Sequence, residues 1–171
     1  MTATAPTVGI AVDATLLEKI IRSGMDGLEM TGIKPCPVGA SRLANAPHDL
    51  TVIVSLIGNW NGTMAFNIST FAALYLTSLL LGEEQKELNE DTLDGTGEIG
   101  NIIAGSLKDY LAKSDFAFHS ISTPAVIMGG NYNLYHYKGF TTVSVTFEIE
   151  EIPMSRMEDR YFTITVSLMK S

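Results

Sequence analysis

"FTTVSVTFEIEE", residues 140–151, and "RYFTITVSLMK", residues 160–170, alternate apolar and polar side chains almost without a break. Val143, Val145, Phe147 and Ile149 share one face of an extended chain, and Phe162, Ile164, Val166 and Leu168 share one face of another. "IPMSRMED", 152–159, joins the two as the loop of a long hairpin. Working back along the chain, "DLTVIVSLIG" (49–58) and "GTMAFNIS" (62–69) are a second pair of β-rich runs. Between them Asn61-Gly62 is a strong turn signal.

Three helical stretches precede or separate these strands. From Asp13, a predicted N-cap, Leu17, Ile20, Ile21, Gly24 and Leu28 form one stripe, and Gly32 is the predicted stop. Ser69 caps "TFAALYLTSLLL" and Gly82 ends it; this helix is apolar nearly all round, which predicts burial. After the charged connector "EEQKELNED", the stretch "DGTGEIGNIIAGSLKDYL", Asp94–Leu111, is the third. "KPCPVGASRLANAPH" (34–48) reads as mostly loop, and residues 1–12 as a flexible start. Strands joined by hairpins with helices gathered on one side make an α+β fold, an antiparallel β-sheet with helices packed on one face. At 171 residues a single domain spanning 1–171 is expected.

Composition removes several classes of function. A net charge of -8, with 11 scattered Lys and Arg, argues against a nucleic-acid partner. The longest apolar run is about half of what a membrane span needs, and "MTATAPTVGI" lacks the basic start and long apolar run of a signal peptide. The cytoplasm is the expected location. Cys36 is the one cysteine, so no intrachain disulfide forms. His48, His119 and His136 have no metal-ligand spacing, no GxSxG is present, and Gly129-Gly130 reads as a turn rather than a phosphate cradle. Glu148 and Glu150 are expected on the solvated face of their strand.

The third helix holds the remaining candidates for chemistry. Ile99, Ile102, Ile103, Ser106, Tyr110 and Leu111 form its inward stripe, at about 100° per residue. Glu98 and Asn101 project together from the opposite side, on the row of Gly105 and Lys108. Asn and Gly each cost up to about 1 kcal/mol in a helix relative to Ala. Asn101 offers a carboxamide that both donates and accepts, and Gly105 removes bulk where another surface could approach. Propensity alone still leaves a merely solvated face as the leading reading.

The spacing Asp94-x3-Glu98-x2-Asn101, with Pro124 after a further 22 residues, resembles the signature of the CheC/CheX/FliY family of chemotaxis phosphatases. That pattern asks for Asp or Ser, then Glu, Asn and Pro, and all four positions are filled. "GEIGNIIAG", "TPAVIMGG" and "GNWNGTMAFNIS" also resemble CheX-type segments, and the likeness runs from the first helix to the last strand. The resemblance implies hydrolysis of the aspartyl phosphate on a phosphorylated response regulator of the CheY kind. Asn101 would orient the attacking water, and Glu98 would pair with a lysine near the phosphate. Asp94 would support the start of the helix and Pro124 would shape the loop beside it, while Gly105 and Lys108 would meet the partner. No cofactor of its own is implied, since Mg²⁺ belongs to the regulator. CheC-type members carry a second Glu/Asn pair on the first helix. Here Glu18 is followed three residues on by Ile21, which implies the single-site CheX arrangement. CheX-type dimers share sheet strands, so a homodimer is expected. The alternative is a non-catalytic module that docks on a receiver domain or a flagellar switch component through the same helix.

Overall fold

The computed structural model describes residues 12–136 and 138–171, and in it the two alternating runs lie side by side as the last two strands. In chain order the elements are α1 (Ala14–Leu28), β1 (Cys36–Ser41), β2 (Asn45–Ala46), β3 (Leu50–Gly58), β4 (Trp60–Ile68), α2 (Thr70–Leu81), α3 (Glu90–Leu111), β5 (Phe118–Ile121), β6 (Ala125–Met128), β7 (Tyr132–Asn133), β8 (Thr141–Glu148) and β9 (Tyr161–Lys170). Apart from Val12, the expected flexible start lies outside the described residues.

The main sheet runs β1-β8-β9-β4-β3-β5, with β6 also paired to β3, and every pairing is antiparallel. Its register lines up the apolar faces. Val145 lies opposite Ile164, Ile164 opposite Phe66, and Phe66 opposite Val52. Phe147 stacks on Phe162 at 5.0 Å between ring centroids, and Phe66 meets Phe162 edge-on at 5.4 Å. The other face carries hydroxyls, tied to one another by Thr165 donating to Ser144 at 2.8 Å and by a Thr142–Ser167 contact at 2.9 Å.

The helices cover the apolar face side by side, α1 above β8 and β9, α3 above β3 and β5. Asp13 caps α1 by accepting from the Leu16 amide, and Gly32, at φ 76°, ends the short 3-10 turn that follows. Both helices approach their neighbours where a side chain is missing. A Cβ on Gly24 would stand 2.5 Å from Phe147 Cζ, one on Gly100 2.6 Å from Val52 Cγ1, and one on Gly27 would collide with Ile103 Cγ1. Ser69 caps α2, and Gly82, at φ 74°, closes it.

Five expectations are corrected. The stretch 34–48 is not mostly loop: Cys36–Ser41 is β1, paired to β8, and Asn45–Ala46 is β2. Its Pro and Gly mask a strand at the end of the sheet, where half of the backbone groups need no partner. The β3–β4 turn lies before Asn61-Gly62, both of which are inside β4. Asn61 Oδ1 accepts from the Gly58 amide across that turn, while Gly62 sits against the Ser167 carbonyl, where a Cβ has no room. α2 is buried on one side only, through Ala72, Ala73, Leu76 and Thr77; Leu79 is 40% exposed. α3 begins at Glu90 rather than Asp94. Glu148 is not solvated but accepts from Arg160 Nε and a terminal guanidinium nitrogen at 2.9 and 2.7 Å. Arg160 also donates to the Glu150 and Ile152 carbonyls, closing the β8–β9 loop. A buried guanidinium needs that many partners.

Overpacking at the α1–α3 contact sets the first prediction. Gly27→Ala is expected to lower unfolding free energy by about 1–3 kcal/mol. Urea denaturation should show a smaller penalty for the same change in an Ile103→Ala background, where the clashing atoms are gone.

Candidate functional site

The site rests on how α3 starts. Asn89 Oδ1 accepts from the Thr92 amide at 2.9 Å while Thr92 Oγ1 accepts from the Asn89 amide at 2.8 Å, a reciprocal box that satisfies two free N–H groups. Glu90 and Asp91 in the first turn and Lys108 in the last complement the helix dipole. Asp94 therefore does not cap the helix; it is an exposed residue one turn before Glu98.

From that start the 3.6-residue period points Ile99, Gly100, Ile103, Ala104, Leu107 and Leu111 into the core. Ile102, Ser106 and Tyr110 are half-buried along the seam with α1, where the Tyr110 hydroxyl donates to Asp26 Oδ2 at 2.8 Å. That hydrogen bond, with burial, pushes the Tyr110 phenol above its ordinary pKa.

The row of Glu98, Asn101, Gly105 and Lys108 faces outward. Glu98 is exposed and the other three are half-exposed. Asn101 lies three residues beyond Glu98 along the helix, a rise of about 4.5 Å. Among the described residues, neither the Glu98 carboxylate nor the Asn101 carboxamide takes part in a hydrogen bond or ion pair. Glu18 of α1 differs: it pairs with Arg22 at 3.1 Å and Lys19 at 3.4 Å, and Ile21 beyond it is half-buried. A Cβ on Gly105 would meet nothing within 4 Å, so this position is open space.

Pro124 stands in the β5–β6 link, its Cγ 3.8 Å from where a Gly97 Cβ would be. The ring thus forms a wall beside α3 at the residue before Glu98. At the other end of the row, Lys108, Asp109 and Ala112 line a pocket of about 310 Å³ with Asn59, Ala117, Phe118 and His119. Sequence reasoning weighed His119 only as a metal ligand and did not place it beside Lys108. No local pattern signals that proximity, which arises because β5 pairs with β3 beneath α3.

Among the described residues, no group of three or more His, Cys, Asp and Glu side chains is arranged to hold a metal ion. No helix among them is long and apolar enough to cross a membrane. The three histidines are dispersed, His48 before β3, His119 on β5 and His136 after β7. Burial pulls the His48 imidazole below its ordinary pKa, against the opposing pull of Asp159 and Asp49.

A family model described as chemotaxis phosphatase CheX matches residues 50–148, more than half of the chain. The CheY-P phosphatase CheX of Thermotoga maritima is 28% identical over 126 residues, which is 70% of this chain and 78% of that protein. Among solved structures, the chemotaxis protein CheX of Vibrio vulnificus is 24% identical, covers 91% of this chain and 99% of its own, and superposes with a TM-score of 0.76. A CheX–CheY–BeF3–Mg²⁺ complex from Borrelia burgdorferi contributes a chain 22% identical, covering 91% of this one and 98% of itself, with a TM-score of 0.71. The matched segment runs from β3 to β8 and has α3 at its centre, so the helix with the free outward row lies within the likeness. This chain belongs to the CheX family of chemotaxis phosphatases.

Proposed function

We propose that the chain hydrolyses the aspartyl phosphate of a CheY-like receiver domain, with α3 as the docking helix and Asn101 and Glu98 as its working groups. The observation that carries this reading is the Glu98–Asn101 pair, one turn apart on the outward row, the first exposed and the second half-exposed, with no hydrogen-bond or ion-pair partner among the described residues, beside the open position of Gly105. A carboxylate and a carboxamide kept free in this way are available to another molecule's polar groups. The T. maritima relative acts on CheY-P, and the B. burgdorferi relative forms a complex with CheY, BeF3 and Mg²⁺; both support the same partner class here.

The chemistry asks little of the protein beyond placement. An acyl phosphate is already activated, and phosphoryl transfer proceeds largely through positioning and charge stabilisation. Asn101 Oδ1 accepts a hydrogen bond from a water and aims its lone pair at phosphorus, in line with the departing aspartate oxygen. The water oxygen bonds to phosphorus, the acyl P–O bond breaks, and the products are inorganic phosphate and the free aspartate carboxylate. Glu98 pairs with a lysine of the receiver, which sets register and selects the partner. Lys108 is the row's second charged contact. Mg²⁺ on the receiver offsets phosphoryl charge. Asp94 adds negative charge near the start of α3, and Pro124 holds the β5–β6 link against it.

The same reading takes residues 1–171 as one CheX-like domain working in the cytoplasm. It pairs two copies through their sheet strands; β1 and β5 stand at the two ends of the strand order.

Asn101→Ala should leave the thermal midpoint unchanged and lower the acceleration of phosphate loss about 100-fold or more, the scale of losing one positioned polar group at a reacting centre. Decay of radiolabelled phospho-regulator measures it at sub-stoichiometric enzyme, and full retained acceleration would sink the assignment. Were Asn101→Ala and the parent chain both to bind the receiver without turnover, the docking-module alternative would stand instead. Glu98→Ala is expected to weaken binding and activity together, as read by titration against beryllofluoride-activated regulator. Gly105→Leu separates stability from function. It should stabilise α3 by up to about 1 kcal/mol through propensity, yet cut activity by obstructing the partner, and an unaffected rate would remove Gly105 from the interface.

A further inference from the structure

The side of α2 turned away from α3 is apolar and half-exposed. Phe71, Leu74, Tyr75 and Leu79 form one wall of an open groove of about 700 Å³, and Gly82–Lys86 form the other. Beside it, the segment Met154–Arg160 packs on α2 and leaves Met154 64% and Met157 48% exposed. Unbranched thioethers adapt to the shape of whatever lies on them. At the same end, the Arg156 guanidinium lies 4.0 Å from the Phe71 ring centroid.

Charge around the groove narrows what it can hold. Lys86 faces Glu84 at 3.4 Å and Arg156 faces Asp159 at 3.4 Å, so each cation already has a carboxylate. Glu83, on the rim, and Glu151, whose charge acts on the Tyr75 hydroxyl, make no ion pair among the described residues. A two-fold contact between copies of this chain would bring both sets of these uncompensated carboxylates into one interface, with no added cation to offset them. A helix with apolar residues at i, i+3, i+4 and i+7 fits a groove of this kind, and Lys or Arg on its flanks would meet the rim.

We propose that the α2 groove docks a basic amphipathic helix of a partner protein, on a face separate from the Glu98–Asn101 row. α2 meets α3 through Thr77 and Leu80 against Gly95, the flank opposite the groove. The chain can therefore be held by one protein through α2 while α3 engages another.

Panning a random 20-residue peptide library on the full chain tests the proposal. Amphipathic peptides rich in Lys or Arg should be selected. Fluorescence anisotropy of the best of them should show at least a tenfold weaker Kd for Leu79→Glu, and several-fold weaker binding for the Glu83→Lys/Glu151→Lys pair. Both variants should keep the far-ultraviolet dichroism, thermal midpoint and phosphate-loss rate of the parent. Selection of acidic or unpatterned peptides, equal binding to Leu79→Glu, or no selection at all would overturn it. So would a concentration-dependent dimer in light scattering that Leu79→Glu abolishes, which would assign the groove to a second copy.

Discussion

The close seating of two helices on one apolar sheet face is the constraint on which everything else depends. Gly24 lets α1 rest on the Phe147 ring, and Gly100 lets α3 rest on Val52. Gly27 and Ile103 then set how near the two helices can come to each other. A packed interior admits few alternatives once backbones approach this closely, because a single methylene is felt by its neighbours. The Phe147–Phe162–Phe66 cluster gives the sheet a rigid centre beneath them. α3 is thereby fixed against both sheet and α1, and its remaining side is available for work.

That division of labour accounts for an otherwise poor helix composition. Gly95, Gly97 and Gly100 face Thr77, Pro124 and Val52, where contact is tight or close, while Gly105 faces open space. The first three are explained by what is inside the protein. The fourth meets nothing within 4 Å, and the receiver docking proposed above would give it a reason. The Glu18 and Glu98 carboxylates make the same contrast: one is drawn into ion pairs on its own helix, the other has no partner among the described residues.

The fold was largely legible wherever a segment's pattern is set by its own period. The alternation at 140–170 identified β8 and β9, and Asp13, Ser69, Gly32 and Gly82 marked helix ends through local hydrogen bonds and φ. It was illegible where pairing with a distant strand decides. β1 is a strand because β8 binds it, not because its Pro, Gly and Ala favour one. Gly62 looked like a turn residue, yet it is a glycine because Ser167 passes too close. Glu148 looked solvated because the residue that covers it, Arg160, lies across a loop. The outward row of α3 followed from the helical period alone. The neighbours that frame it, Pro124 at one end and His119 at the other, come from the β5–β6 link and β5 and could not be read from α3 itself.

The Asn89–Thr92 box has a consequence beyond satisfying backbone groups. It acts as an index mark from which azimuth is counted. Each residue between it and Glu98 turns the helix by about 100°, so one inserted or deleted residue there would swing the carboxylate and amide toward α1 or under Pro124. The connector before Asn89 is under no such restriction, since added length there leaves the phase of α3 untouched. Natural variation in segment length should then concentrate ahead of the cap, with the interval from Asn89 to Glu98 kept constant as the setting of a dial.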